Sequence, residues 1–131
     1  MSIDIDEQKR VAQFIRALQE ELEALQRSQR AAGWAQRNSV ISHVYSDYRE
    51  QENVLKKRNK WERITFQTNV LKGVLKLLLP HRDIYGFYDV PGMERELKEL
   101  LELAEKKDEF EIAELVNEYR LNFLRVIPKH A

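Results

Sequence analysis

The sequence predicts an all-α protein: an antiparallel helical bundle with a long central helix and a C-terminal helical hairpin. Three observations predict it. The stretch from Trp34 to Leu79 holds no proline and one glycine, Gly73. Apolar residues recur at helical spacing through most of the chain. Only 4 glycines and 3 prolines stand beside 34% charged residues, which suits helices with charged outer faces.

Ser2, Asp4 and Asp6 are N-cap candidates for a first helix over 6–31. Val11, Ile15, Leu18, Leu22 and Leu25 keep 4-3-4-3 spacing, with Phe14 beside them. This is a short heptad seam, of the kind found inside bundles and in coiled-coil dimers alike. With Leu75 and Leu78 it forms the candidate self-association interface. Gly33 is placed to cap the helix C-terminus.

A spine helix, or two helices end to end, is expected over 34–79. Ile41, Val44, Tyr48, Gln51 and Leu55 form one stripe, widened by Val40 and Tyr45. Trp61, Ile64, Thr68, Leu71, Leu75 and Leu78 form a second. The two do not join in phase, because continuing the first would reach the charged Arg58 and Glu62. A kink or short break near Asn59 accommodates the slip; a continuous helix is the alternative. Val74, Leu75, Leu77, Leu78 and Leu79 leave almost no polar face, so this end should be buried. Pro80 closes the helix by pushing its predecessor out of helical geometry.

His81 to Gly92 reads as an aromatic loop by its glycines and proline, with Tyr85, Phe87 and Tyr88 around Gly86. Its expected task is to cover one end of the core. Pro91 opens the next helix, which carries Met93, Leu97, Leu100, Leu101 and Ala104 inward and ends near Lys106. Asp108 and Glu111 suggest a capping box for the last helix. That helix carries Phe110, Ile112, Leu115, Val116, Tyr119, Phe123 and Leu124 and stops before Pro128. The short connection makes residues 91–127 a helical hairpin.

At 131 residues, one domain over 1–131 is expected. The absence of cysteine excludes disulfides and thiol catalysis and fits a reducing compartment. No apolar run approaches the ~18 residues of a membrane span, and the polar, acidic start is no signal peptide. A cytoplasmic location follows by default. The net charge is zero but unevenly spread. Residues 1–33 hold 5 basic and 6 acidic groups, 34–89 hold 10 and 6, and 90–131 hold 7 and 10. A basic middle and an acidic end can attract one another within the fold or across a dimer.

Candidate chemistry is sparse. His81 and Asp83 are too few ligands for a metal site, and His130 is terminal. No Gly-rich phosphate loop or Ser/His/Asp arrangement is present, and no cofactor is expected. The segment from Arg37 to Tyr45 is more specific. Arg37-Asn38, with His43 and Tyr45 following, resembles the Arg-Asn…His-x-Tyr signature of HEPN domains. These are helical bundles that often dimerise and include RNA-cleaving toxins. The resemblance covers about nine residues. It implies metal-independent RNA cleavage, with His43 as acid or base and Arg37 stabilising phosphate charge. Lys56, Lys57, Arg58, Lys60 and Arg63 surround Trp61, a pattern that can hold phosphates and stack a base.

The expected role is therefore a small non-enzymatic helical interaction or assembly module that self-associates. The alternative is a nucleic-acid-acting bundle, with the HEPN-like segment as its sharpest form.

Overall fold

The structure is a computed structural model, which describes residues 3–127. Ser2, Pro128 and His130 lie outside the described residues. The fold is all-α. Helix α1 spans Ile5–Tyr45, α2 spans Gln51–Leu78, α3 spans Val90–Lys106 and α4 spans Phe110–Val126. A 3-10 turn, Leu79–His81, carries Pro80 at the end of α2.

Two boundaries differ from the sequence reading. The first helix was expected to stop near Ala31, with Gly33 as its cap, yet α1 continues to Tyr45. Gly33 serves side-chain packing instead: a Cβ there would lie 3.2 Å from the Trp61 indole nitrogen. The break in the expected 34–79 spine falls at 46–50, and α2 runs unbroken through Asn59. The slip between the two stripes therefore needs no kink. The chain has already changed helix at 46–50, so the first stripe never lay on one continuous cylinder.

The chain forms two compact units, Met1–Glu20 with Val70–Ala131, and Glu21–Asn69. The first holds nearly all of the buried apolar core. Val11, Phe14, Ile15 and Leu18 come from α1, and Leu71, Val74, Leu75 and Leu78 from α2. Val90, Met93, Leu97 and Ala104 come from α3, and Ala113, Val116, Tyr119 and Phe123 from α4. Each large side chain fully buried in this way contributes about 1.5–3 kcal/mol. The Phe14 and Phe123 rings meet at 5.4 Å with a 51° tilt, an arrangement that suits their quadrupoles.

Polar groups fix the ends of this unit. Asp4 Oδ1 accepts from the Glu7 N–H at 3.0 Å, so Asp4 is the cap that starts α1. Arg10 Nε donates to the Val126 carbonyl at 2.7 Å, placing positive charge on the negative end of α4. The Gln8 amide clamps the backbone of Tyr88 from both sides, accepting from its N–H at 2.7 Å and donating to its carbonyl at 2.9 Å.

The aromatic loop is tightly folded. Asp83 Oδ1 accepts from the N–H groups of Tyr85 and Phe87, both at 2.9 Å. Gly86 has φ 86°, which its lack of a side chain permits. Phe87 and Tyr88 are half-buried, as a core cover should be, whereas Ile84 and Tyr85 stand out in solvent. Asp89 caps α3 by accepting from the Gly92 N–H at 3.2 Å, with Pro91 in the first turn.

The last connection departs from the capping box expected at Asp108 and Glu111. Asp108 instead ends α3. It sits in the left-handed region at φ 58°, with Asp108 N–H bonded to the Glu105 carbonyl and Glu109 N–H to the Ala104 carbonyl. These are the two bonds of a Schellman motif. Glu109 then precedes α4 and makes no side-chain cap. Helices α3 and α4 pack on one another as the expected hairpin.

Candidate functional site

The second unit is a helical hairpin built from α1 beyond Glu21 and α2 up to Asn69. Gln29 Nε2 donates to Thr65 Oγ1 at 3.2 Å, and Gly33 faces Trp61. Its fully buried positions are small or polar, and the larger Trp61 and Ile64 are half-buried. Ala32, Ser39 and Thr68 are its buried residues. The hydroxyls of Ser39 and Thr68 are satisfied by their own helices, at 2.6 Å to the Gln36 carbonyl and 2.7 Å to the Ile64 carbonyl.

The turn at 46–50 is organised by His43. Tyr48 N–H donates to the His43 carbonyl at 2.8 Å, and Asp47 N–H to the Val44 carbonyl at 3.3 Å. This is a second Schellman motif, made without glycine: Asp47 has φ 57° and Tyr48 φ 63°. The His43 Nδ1 accepts from the Glu50 N–H at 3.0 Å, one of the donors at the start of α2. The Tyr48 ring meets the imidazole edge-on at 5.3 Å.

This geometry allows a test of the turn. A side chain in the left-handed region costs about 1–2 kcal/mol, and less for Asp, which can bond locally. Asp47→Gly should therefore stabilise the protein by about 0.5–1 kcal/mol. Chemical denaturation is the measurement. A loss of stability would mean that the Asp47 side chain makes a contact worth more than the strain.

The HEPN-like segment lies within this hairpin. Arg37 and Tyr45 are exposed, and His43 is half-buried. Residues six apart on a regular helix leave it about 120° apart, and α1 is regular through both Arg37 and His43. The structure does not bring them together within one chain, and it gives the His43 imidazole a structural task in the turn.

The basic cluster is spread around α2. Lys56, Lys60 and Arg63 lie at i, i+4 and i+7 and are exposed. Arg58 pairs with Glu62 at 3.0 Å. Lys57 and Lys60 line a groove of about 230 Å³ with Ser28, Ala31, Ala32, Ala35 and Ile64. Trp61, the ring expected to stack a base, is half-buried against Gly33.

The residues proposed as a self-association seam belong mostly to the chain's own core. Val11, Ile15, Leu18, Leu75 and Leu78 are buried, while Leu22 and Leu25 are half-buried. Neither do His81 and Asp83 converge on a common point. His81 Nε2 lies 3.3 Å from Glu96 Oε1 and its Nδ1 3.7 Å from Asp89 Oδ2, while Asp83 holds the loop.

The surface that sequence reasoning missed is the first apolar stripe. Ile41, Val44, Tyr48 and Leu55, with Val40 and Tyr45, read only as one stripe of an amphipathic spine helix, and all of them are exposed. Tyr45 is 87% exposed, and Trp34, also on α1, is 65% exposed. The reason is local. Ala32, Ser39 and His43 take the face of α1 used within the hairpin, which leaves the apolar face outward. Trp34, Ile41 and Tyr45, at i, i+7 and i+11, share that outer face.

No family model matches this chain, and no curated protein or solved structure matches it. Among the described residues, no helix is long and apolar enough to cross a membrane.

Proposed function

We propose that this chain is a helical protein–protein interaction module whose binding surface is the outer apolar face of the hairpin, around Trp34, Ile41 and Tyr45. One observation carries the reading: the hairpin's fully buried residues are Ala32, Ser39 and Thr68, while Trp34, Ile41 and Tyr45 stand exposed on the other face of α1. An exposed apolar surface of this extent marks an interaction site more often than chance exposure. Tyr and Trp are also the residues that most often anchor such interfaces.

The test is a photo-crosslinking side chain placed at Tyr45 in the cells that make the protein. The reading expects discrete adducts from Tyr45 and none from Lys72, an exposed residue of the other unit. Absence of any adduct from Tyr45 would remove the basis of the proposal.

The rival reading rests on Lys56, Lys57, Lys60 and Arg63, none of which has an acidic partner within 4.0 Å among the described residues. It predicts binding to single-stranded RNA or duplex DNA that falls steeply with salt, because phosphate contacts release counterions. The interaction-module reading predicts no tight binding near physiological salt and no RNA cleavage. Arg37→Ala separates chemistry from folding better than His43→Ala, since Arg37 is exposed and bonded to nothing described, whereas His43 holds the turn. Metal-independent cleavage lost in Arg37→Ala would establish the nuclease.

A further inference from the structure

We infer that the occupant of the outer apolar face is a second copy of this chain, two hairpins joining around a two-fold axis into a four-helix bundle. The inference rests on the interaction-module reading and names its partner.

The first argument is area. Trp34 and Tyr45 are 65% and 87% exposed. At about 150–250 Å² for a whole aromatic side chain, these expose on the order of 300 Å² together. The aliphatic residues beside them, each about half exposed, add on the order of 200 Å². A standard interface takes about 800 Å² from each partner, somewhat over half of it apolar. The hairpin therefore supplies about the apolar area that one side of a stable dimer needs.

The second argument is charge. The stretch 34–55 carries Arg37 and Arg49 against Asp47, Glu50 and Glu52, a near-neutral mixture of both signs. A two-fold interface sets a patch against itself, so a patch of one sign would repel its copy. Mixed signs allow arginines on one copy to face carboxylates on the other. They also give no preference for a strongly acidic or basic partner. The basic run Lys56–Arg63 begins just past this stretch.

The third argument is spacing. Trp34 and Ile41 are seven apart, and Val44 follows Ile41 by three, which are heptad positions suited to packing against another helix. Each hairpin brings two helices, and two such pairs complete the smallest common bundle. The hairpin also has little core of its own, because its buried residues are small or polar.

Sedimentation of the purified protein at tens of micromolar tests the inference. The wild type should sediment as a dimer of the 15.6 kDa chain. Ile41→Asp should weaken the dimer about 30-fold or more, the effect of losing one central interface residue. Lys72→Glu should leave it unchanged. The circular dichroism of Ile41→Asp should match the wild type, because Ile41 is 54% exposed. A monomeric wild type, or a dimer that Ile41→Asp does not weaken, would overturn the inference. Crosslinking from Tyr45 distinguishes this failure from failure of the wider reading. Adducts of twice the chain mass in pure protein support the second copy. Adducts of another mass, seen only in cells, reject the second copy and retain the interaction surface. No adduct in either setting rejects both.

Discussion

Leu75→Asp should abolish folding of the Met1–Glu20 and Val70–Ala131 unit, while Ile41→Asp should leave the monomer's fold intact. Both positions lie on apolar stripes of the same 3-4 spacing, so the pair tests which stripe has a core behind it. Leu75 is 4% exposed and belongs to a core contributed by all four helices. An unpaired carboxylate there costs several kcal/mol or more, comparable with a whole domain's stability of about 5–15 kcal/mol. Ile41 is 54% exposed, and substitutions at such sites shift monomer stability by about 0.5 kcal/mol or less. Thermal melts followed by circular dichroism at low concentration, where association does not contribute, provide the comparison. Equal melting temperatures would show that Leu75 is not the core residue described.

Phe123→Ala should cost about 3–5 kcal/mol, the usual range for removing a fully buried aromatic ring. Phe123 is 0% exposed, and its ring lies 5.4 Å from that of Phe14. The variant loses the transfer energy of the ring and leaves a void beside Phe14. Adding Phe14→Ala should then cost less than it does alone, with a coupling of about 0.5–3 kcal/mol, because the two rings share one space. Urea unfolding of the wild type, both single variants and the double variant closes the cycle. Strict additivity, or a loss below about 1 kcal/mol for Phe123→Ala, would contradict the packing of α1 on α4.

The sequence alone was sufficient for the all-α class and the C-terminal hairpin, and its periodicity marked most of the buried positions, although Val11, Ile15, Leu18, Leu75 and Leu78 read as a self-association interface. Val11, Ile15, Leu18, Leu71, Leu75, Leu78, Met93, Leu97, Val116 and Phe123 are all buried at positions that periodicity marks. Periodicity reports local geometry faithfully, because helical spacing puts these side chains on one side whatever lies beyond. It is silent about what that side meets. The stripe from Val40 to Leu55 has the same spacing as the stripe from Ile64 to Leu78, yet only the second is covered. Which face of α1 turns inward was settled by tertiary fit: Gly33 makes room for the Trp61 indole, so the glycine that looked like a helix stop lies inside a helix. The true stop is made by Asp47 and Tyr48 in left-handed geometry, with His43 bonding across the turn. No glycine or proline marks that stop, because hydrogen bonds and a ring contact formed only in the folded turn offset the backbone strain. The candidate interface has the same origin. Its residues were legible as an apolar helix face, and only the packing of the hairpin decided that the face points outward.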